Sequence, residues 1–345
     1  FKEDRRHVMS VWTEFQPLRS VILGNVFPTD ELLGQLKLRG KWADAFKNIN
    51  DQSLRELEVI AEVLSDRGVE VLRPNQYPLL HVTGPSGPAL SPRDWFIVYG
   101  DRAMQGNDAF ANHNVRTTST IGLHALKTDI MPTHDIWFSG GFNELESIDL
   151  ARPYYHTANL LRCGHDIFYS LHPCRTGNQR GLAWMKARIT EINPKVRFHA
   201  VDAEEHLDGY IMFIKPGLLL STKSKDRLPD FFKKWEVITV DETDKDKVYK
   251  KTLAHRWKKL NPIVANEYSW FMQANPEETW FSINGLSIDE NTVIFPGMHS
   301  SLFKKLEKLG IECISVSMKA ISFWDSGLHC CTAEISRHGG LEDYQ

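Results

Sequence analysis

The sequence predicts an α/β fold, and two features carry that expectation. Four times a helix-like segment leads into a short alternating strand: "DRGVEVLRP" (66–74), "KVRFHAVD" (195–202), "KWEVITVD" (234–241) and "KLGIECISVS" (308–317). Twice, two apolar runs flank turn-forming residues, the mark of a hairpin. Repeated strand–strand–helix–strand units read as pseudo-symmetry. No linker rich in Pro, Gly or Ser divides the chain, so residues 1–345 are expected to form one domain.

The clearest helix is "SLRELEVIAEVLSDRG". Leu54, Leu57, Ile60, Ala61 and Leu64 lie along one apolar stripe, and Gly68 is its C-terminal stop. "GLAWMKARITEINP" and "SSLFKKLEKLG" behave in the same way before the second and fourth strands. "DGYIMFIKPGLLLST" reads as two strands turning at Lys215-Pro216-Gly217. "FSINGLSIDENTVIF" repeats the idea, with Asp289-Glu290-Asn291 as its turn.

Composition narrows the function. Of 345 residues, 42% are hydrophobic and 25% charged, with a net charge of -3. That balance argues against a nucleic-acid binder, which carries a basic excess. No apolar run is long enough for a bilayer-spanning helix, so no membrane partner is expected. No leader is visible, and because the chain opens at Phe1 the removal of one upstream stays open. Cys163, Cys174, Cys313, Cys330 and Cys331 are odd in number and have no paired spacing. They read as reduced thiols in a cytoplasmic protein. No CxxC or HExxH occurs, which argues against a zinc site.

Four segments could carry chemistry. "WDSGLHCCTAEISRHGG" (324–340) sets two cysteines side by side after a histidine. In a strand such neighbours face opposite sides, so one thiol would meet the core and the other a cavity. "LSPRDWFIVYG" places Asp94 just before an apolar strand, and "EEHLDGYIMFI" puts His206 and Asp208 at i, i+2, on one face if a strand begins there. "RPYYHTANLLRCGHDIF" carries His156, Asn159 and Arg162 among apolar residues. Singly, each has a plain structural reading: a hydrogen-bonded histidine, a turn-forming aspartate, a cysteine acting as a small hydrophobe.

Together, and in order along about 320 residues, these segments resemble the arginine:glycine amidinotransferases of the guanidine-modifying pentein superfamily. "EFQPLRSVILGN" resembles that family's E-x-x-P-L-x-x-V-I-x-G strand, and "PRDWFIVYG" its PRD strand. "HLDGYIMFIKPGLLL" resembles its H-x-D strand and P-G turn, and "SGLHCCT" its G-G-x-H-C-x-T loop. "LLRCGHDIFY" and "TGNQRGLAWMKAR" are similar to its R-x-G-x-D-I-F segment and following helix. The resemblance implies a pentein α/β propeller, five pseudo-symmetric ββαβ modules around a central channel.

It also implies roles. Cys330 takes the nucleophile position, with Cys331 its core-facing neighbour. His206 looks like the general acid/base, and Asp94 and Asp208 like the carboxylates that grip a guanidinium. Asn159 and Ser282 fall at substrate positions, and either Lys225 or Arg227 falls where a cation would meet an amino acid's carboxylate. The implied reaction moves the amidino group of arginine to an acceptor amine through an amidino-cysteine, with no metal or organic cofactor; a homodimer stays open. One position departs from the pattern. Where the family has an acid orienting the catalytic histidine, this chain has His156. A neutral imidazole could serve there only if it were held by another acceptor. The rival readings are a hydrolase of the same superfamily, with water replacing the amine, and a guanidine binder that has lost turnover.

Overall fold

The computed structural model describes residues 9–26, 28–30, 33, 39–74, 90–106, 128–131, 153–170, 176–203, 206–240, 283–324 and 326–345, the side chains of 41, 42 and 45 excepted. In chain order these form β1 (Leu18–Leu23), α1 (Lys41–Ser65), β2 (Glu70–Leu72), β3 (Phe96–Tyr99), β4 (Arg102–Gln105), β5 (Thr128–Ile130), β6 (Leu160–Cys163), β7 (Asp166–Tyr169), α2 (Gln179–Ile192), β8 (Arg197–Ala200), β9 (Ile211–Lys215), β10 (Leu218–Ser221), β11 (Glu236–Thr239), β12 (Leu286–Asp289), β13 (Thr292–Pro296), α3 (Ser300–Lys308), β14 (Glu312–Val316) and β15 (Thr332–Arg337). Among the described residues no helix is long and apolar enough to cross a membrane.

The strands pair as five three-stranded sheets: β15–β1–β2, β3–β4–β5, β6–β7–β8, β9–β10–β11 and β12–β13–β14. Every sheet has one plan. Its first strand runs antiparallel to the second, and the second runs parallel to the third. A tight turn can make the antiparallel step; the parallel one needs a crossover. α1, α2 and α3 supply three of these crossovers. Module one is split between the chain's two ends, because β15 pairs with β1, from Leu23 opposite Thr332 to Leu18 opposite Arg337. The last strand therefore closes the ring that the first one opened.

The hydrophobic core is divided in the same way. Five clusters of buried side chains fill the five joints between successive modules. Ile22, Val98 and Ile335 join modules one and two. Tyr99, Leu160 and Met185 join two and three, and Phe168, Phe213 and Trp235 join three and four. Leu220, Phe295 and Leu306 join four and five, while Leu23, Leu57 and Ile294 join five and one. Both faces of strands such as β3, β6 and β10 meet neighbours, which is why they are buried at every residue.

Two expectations need correction. α1 begins at Lys41, well before the stretch that marked it, and Leu54 is 42% exposed. The buried edge runs Phe46, Asn50, Ser53, Leu57, Ile60, Leu64, so two of its members are polar. Ser53 donates to the Ile49 carbonyl and accepts from Trp324 Nε1, and Asn50 donates to Thr29, so neither reads as core in a hydrophobic pattern. The helical lead-in expected before β11 is instead a pair of 3-10 turns, Lys225–Arg227 and Asp230–Lys234, separated at Pro229. A proline removes the N–H and the freedom that a continuous helix would need there.

Candidate active site

In each module the residues just before the first strand form a short turn, and these five turns meet. Pro92–Asp94 precedes β3, Thr157–Asn159 precedes β6 and Leu207–Gly209 precedes β9, each a 3-10 turn. Asn284 lies before β12, and His329 and Cys330 lie before β15. A closed circuit of hydrogen bonds joins them. The Arg93 N–H donates to the Cys330 carbonyl at 3.3 Å, and Thr157 Oγ1 donates to the Arg93 carbonyl. His156 Nδ1 meets His206 Nε2 at 2.8 Å. Asn284 Nδ2 donates to the Asp208 carbonyl at 3.3 Å, and the His329 N–H returns to Asn284 Oδ1 at 2.8 Å. Pseudo-symmetry thus brings together residues that lie up to 237 positions apart, from Arg93 to Cys330.

Cys330 belongs to this circuit through its carbonyl and is 6% exposed. Its Sγ lies 3.5 Å from Asp208 Oδ2, and Asn284 Nδ2 donates to it at 3.3 Å. Burial, then the charges of Asp208 and Asp94, push the thiol well above its ordinary range, so it rests protonated. Cys331 is packed in the joint between modules five and one, where burial pushes its thiol up to about 12. The two cysteines diverge as expected, though from a turn and not a strand: Cys331 N–H donates to the Gly327 carbonyl and Thr332 N–H to that of His329.

Asp208 accepts from His329 Nδ1 at 2.8 Å through Oδ2. Burial alone would raise its carboxyl; the His329 hydrogen bond and charge outweigh burial and hold it below the usual range. Its Oδ1 is buried and takes no hydrogen bond from the described residues. His206 and Asp208 belong to a turn, not a strand, and they look different ways. Asp208 faces His329 and Cys330, whereas His206 lies between His156 and Asp94, with Nδ1 3.6 Å from Asp94 Oδ1. Trp95 packs against the His156 ring, centroids 4.9 Å apart.

Behind Asp208 lies a buried charge network that sequence reasoning passed over. His329 Nε2 is 3.3 Å from Glu14 Oε2. Glu14 grips Arg162 through both oxygens, at 2.7 and 2.9 Å. Arg162 also reaches Glu334 at 2.7 Å, and Glu334 binds Arg93 at 2.5 Å and Arg337 at 3.1 Å. Burial opposes ionisation of Glu14, but Arg162 above all outweighs it and brings the carboxyl to about 2. Burial and Arg93 push His329 down, yet the hydrogen bonds to Asp208 and Glu14 prevail and raise it.

The remaining expected residues divide. Asn159 is fully buried, donating to the Thr176 carbonyl at 2.8 Å and accepting from Ser170 at 3.2 Å. Both ends of its amide thus hold the turn. Ser282 lies outside the described residues. Lys225 and Arg227 follow β10 at the end where β9 begins, which is the site's end. Lys225 Nζ is committed to the Trp235 carbonyl at 2.7 Å, and Arg227 pairs with Asp202 at 2.9 Å, its side chain 58% exposed. Asn284, missing from the expected set, anchors the nucleophile's loop, its Oδ1 accepting from both His329 and Cys330 N–H groups. Gly327 must be glycine for this, since a Cβ there would lie 2.2 Å from Asn284 Oδ1. The signal was present in "WFSING", two residues past the serine that drew attention.

The chain has recognisable relatives. No family model matches it. It is 27% identical over 199 residues to the mitochondrial glycine amidinotransferase of Danio rerio, a match spanning 56% of this chain and 40% of that protein. Along 98% of its length it is 22% identical to inosamine-phosphate amidinotransferase 1 of Streptomyces glaucescens, covering 99% of it. Its fold superposes with a TM-score of 0.72 on SxtG, an amidinotransferase of the Microseira wollei saxitoxin pathway, at 19% identity and over 98% of this chain and 99% of that one. The five-module architecture is the pentein α/β propeller, and the expected likeness to amidinotransferases holds in sequence and in fold.

Proposed function

We propose that this relative of the amidinotransferases, acting as one domain, transfers an amidino group from arginine to an acceptor amine, with Cys330 as the nucleophile. The observation that carries the reading is the Cys330 sulfur 3.5 Å from a buried carboxylate whose second oxygen, Asp208 Oδ1, takes no hydrogen bond from the described residues. A guanidinium fits it: planar, cationic and rich in N–H donors aimed at carboxylates. Held between Asp94 and Asp208, it neutralises the two charges that add to burial in keeping the thiol protonated. The enzyme is thereby armed by its own substrate. Arg227, exposed at the site's end of the sheet, offers a cation for the substrate's carboxylate, and Ser282 a further contact.

His206 handles the proton. If Nε2–H donates to His156 Nδ1, then Nδ1 of His206 is a bare lone pair on Asp94's side. The 3.6 Å between Nδ1 and Asp94 Oδ1, longer than a hydrogen bond, agrees with that tautomer. Nδ1 takes the thiol proton as Sγ bonds to the guanidinium carbon. The tetrahedral adduct collapses with cleavage of the carbon–nitrogen bond to the ornithine side, whose nitrogen receives the proton from His206. The acceptor amine then attacks the amidino carbon and gives its proton to His206. Expulsion of Sγ, reprotonated from His206, restores the thiol.

Incubating the protein with arginine and measuring its intact mass tests this. A gain of one amidino group with release of ornithine, both absent in Cys330→Ala, is expected. Turnover with water alone would assign hydrolysis, and neither adduct nor ornithine would leave a binder.

A further inference from the structure

Two side-chain clusters among the described residues bring three metal-ligating groups within 4.8 Å of one another: Asp94, His156 and His206, and Glu14, His329 and Glu334. The second is already neutralised. Its carboxylates bind Arg93, Arg162 and Arg337, so a dication there would be buried against three guanidiniums. The first is partly open, with the His206 side chain 25% exposed and that of Asp94 18%.

We infer that Asp94, His156 and His206 form a Zn2+ site that closes the pocket to arginine. Two imidazoles and one carboxylate suit a borderline dication, and three protein ligands leave a fourth position open. His156 Nδ1 and His206 Nε2 already face each other at 2.8 Å, a proton between them. Zinc takes the place of that proton. With Zn–N bonds of about 2.0–2.1 Å in tetrahedral geometry the nitrogens stand roughly 3.3 Å apart, so the rings need part by only a few tenths of an ångström. Trp95 packed on the His156 ring limits the search for that geometry. His156 makes the difference: an acid in its place would leave one imidazole and two carboxylates, a harder donor set. The closure to arginine rests on the proposed function, since Asp94 and His206 serve both ligands; the metal binding does not.

The test is calorimetric titration of the full chain with Zn2+, with Co2+ as the spectroscopic probe. One equivalent should bind, Cys330→Ser should bind as well as the parent, and saturating arginine should displace the ion. His156→Ala and His206→Ala should each weaken binding by more than the roughly 10–100-fold that outer-sphere changes cost. Should an alanine variant misfold, His156→Gln keeps the volume and removes the imidazole. Absence of stoichiometric binding, or binding indifferent to both histidines, overturns the site. Loss in Cys330→Ser with a thiolate-to-cobalt charge-transfer band moves the ion to the thiol and overturns it too. Indifference to arginine overturns the closure. An enzyme that forms no amidino adduct but binds zinc as stated fails only the proposed function.

Discussion

Two histidines belong to the turns that meet around the nucleophile, and their surroundings are opposite. His329 is buried and touches two carboxylates, Asp208 at 2.8 Å and Glu14 at 3.3 Å, each backed by further charges. His206 is a quarter exposed, hydrogen-bonded to another imidazole and out of hydrogen-bond reach of Asp94. The first arrangement favours one fixed protonation state. The second leaves a partly exposed ring against another imidazole, with Asp94 3.6 Å away, and it is the ring that the proposed reaction uses to pass a proton. One side of the site is built to hold charge and the other to change it.

The largest effect should come from breaking the charge-holding side. Glu334 is fully buried and pairs with Arg93, Arg162 and Arg337. Glu334→Gln leaves three guanidiniums short of an anion, and removing one member of a buried ionic set costs about 3–5 kcal/mol. Denaturant unfolding would measure it. A loss below about 1 kcal/mol would mean the network is loosely held and the contrast between the two sides is false.

A smaller, pH-dependent effect should follow from His329 itself. Its folded value lies above the unfolded one, so its contribution is complete below about pH 6.5 and fades as pH rises through the folded value. Asp208 and Glu14 act in the opposite sense. Their values are depressed, so their contribution is present above the unfolded range near 4 and is lost as pH falls, for Glu14 through about 2. Melting temperatures between pH 6 and 8, below the titration of ordinary thiols, should decline in the parent and flatten in His329→Gln. Parallel declines in both proteins would show that His329 carries none of the dependence.

What could be read in advance follows from distance along the chain. Helices and hairpins advertise themselves locally, so modules one, three, four and five left a trace in the strands at 66–74, 195–202, 234–241 and 308–317. Module two did not, for the stretch around its third strand, β5, reads Lys-Thr-Asp-Ile-Met, with no clear alternation of apolar and polar residues. In the site, Cys330, His206, Asp94 and Asp208 were reached through the resemblance. Glu14, Asn284 and Arg93 were not, although Glu14 and Arg93 lie in segments quoted for it and Asn284 two residues past Ser282. Each acts across a module boundary, Glu14 on Arg162, Asn284 on Cys330, Arg93 on Glu334. No local pattern encodes such a contact. Lys225 shows the converse: the right residue type at the right end of a sheet is committed to a neighbour's carbonyl.

The smallest change expected in stability, and the sharpest probe of the proton-moving side, is His156→Asp. The pair is partly exposed, so the substitution should alter stability by less than about 1 kcal/mol. Its effect should be on catalysis. A carboxylate in place of a neutral ring favours the protonated partner, so the acid limb of the pH–rate profile for amidino transfer should move to higher pH. With glycine as acceptor, activity should be retained or raised. If His156 has been specialised for another amine, the same variant should lose rate on that amine while keeping it on glycine, so a panel of acceptors separates a substitute for the acid from a specificity device. An unmoved limb with unchanged rates on every amine would show that His156 plays no part in proton transfer.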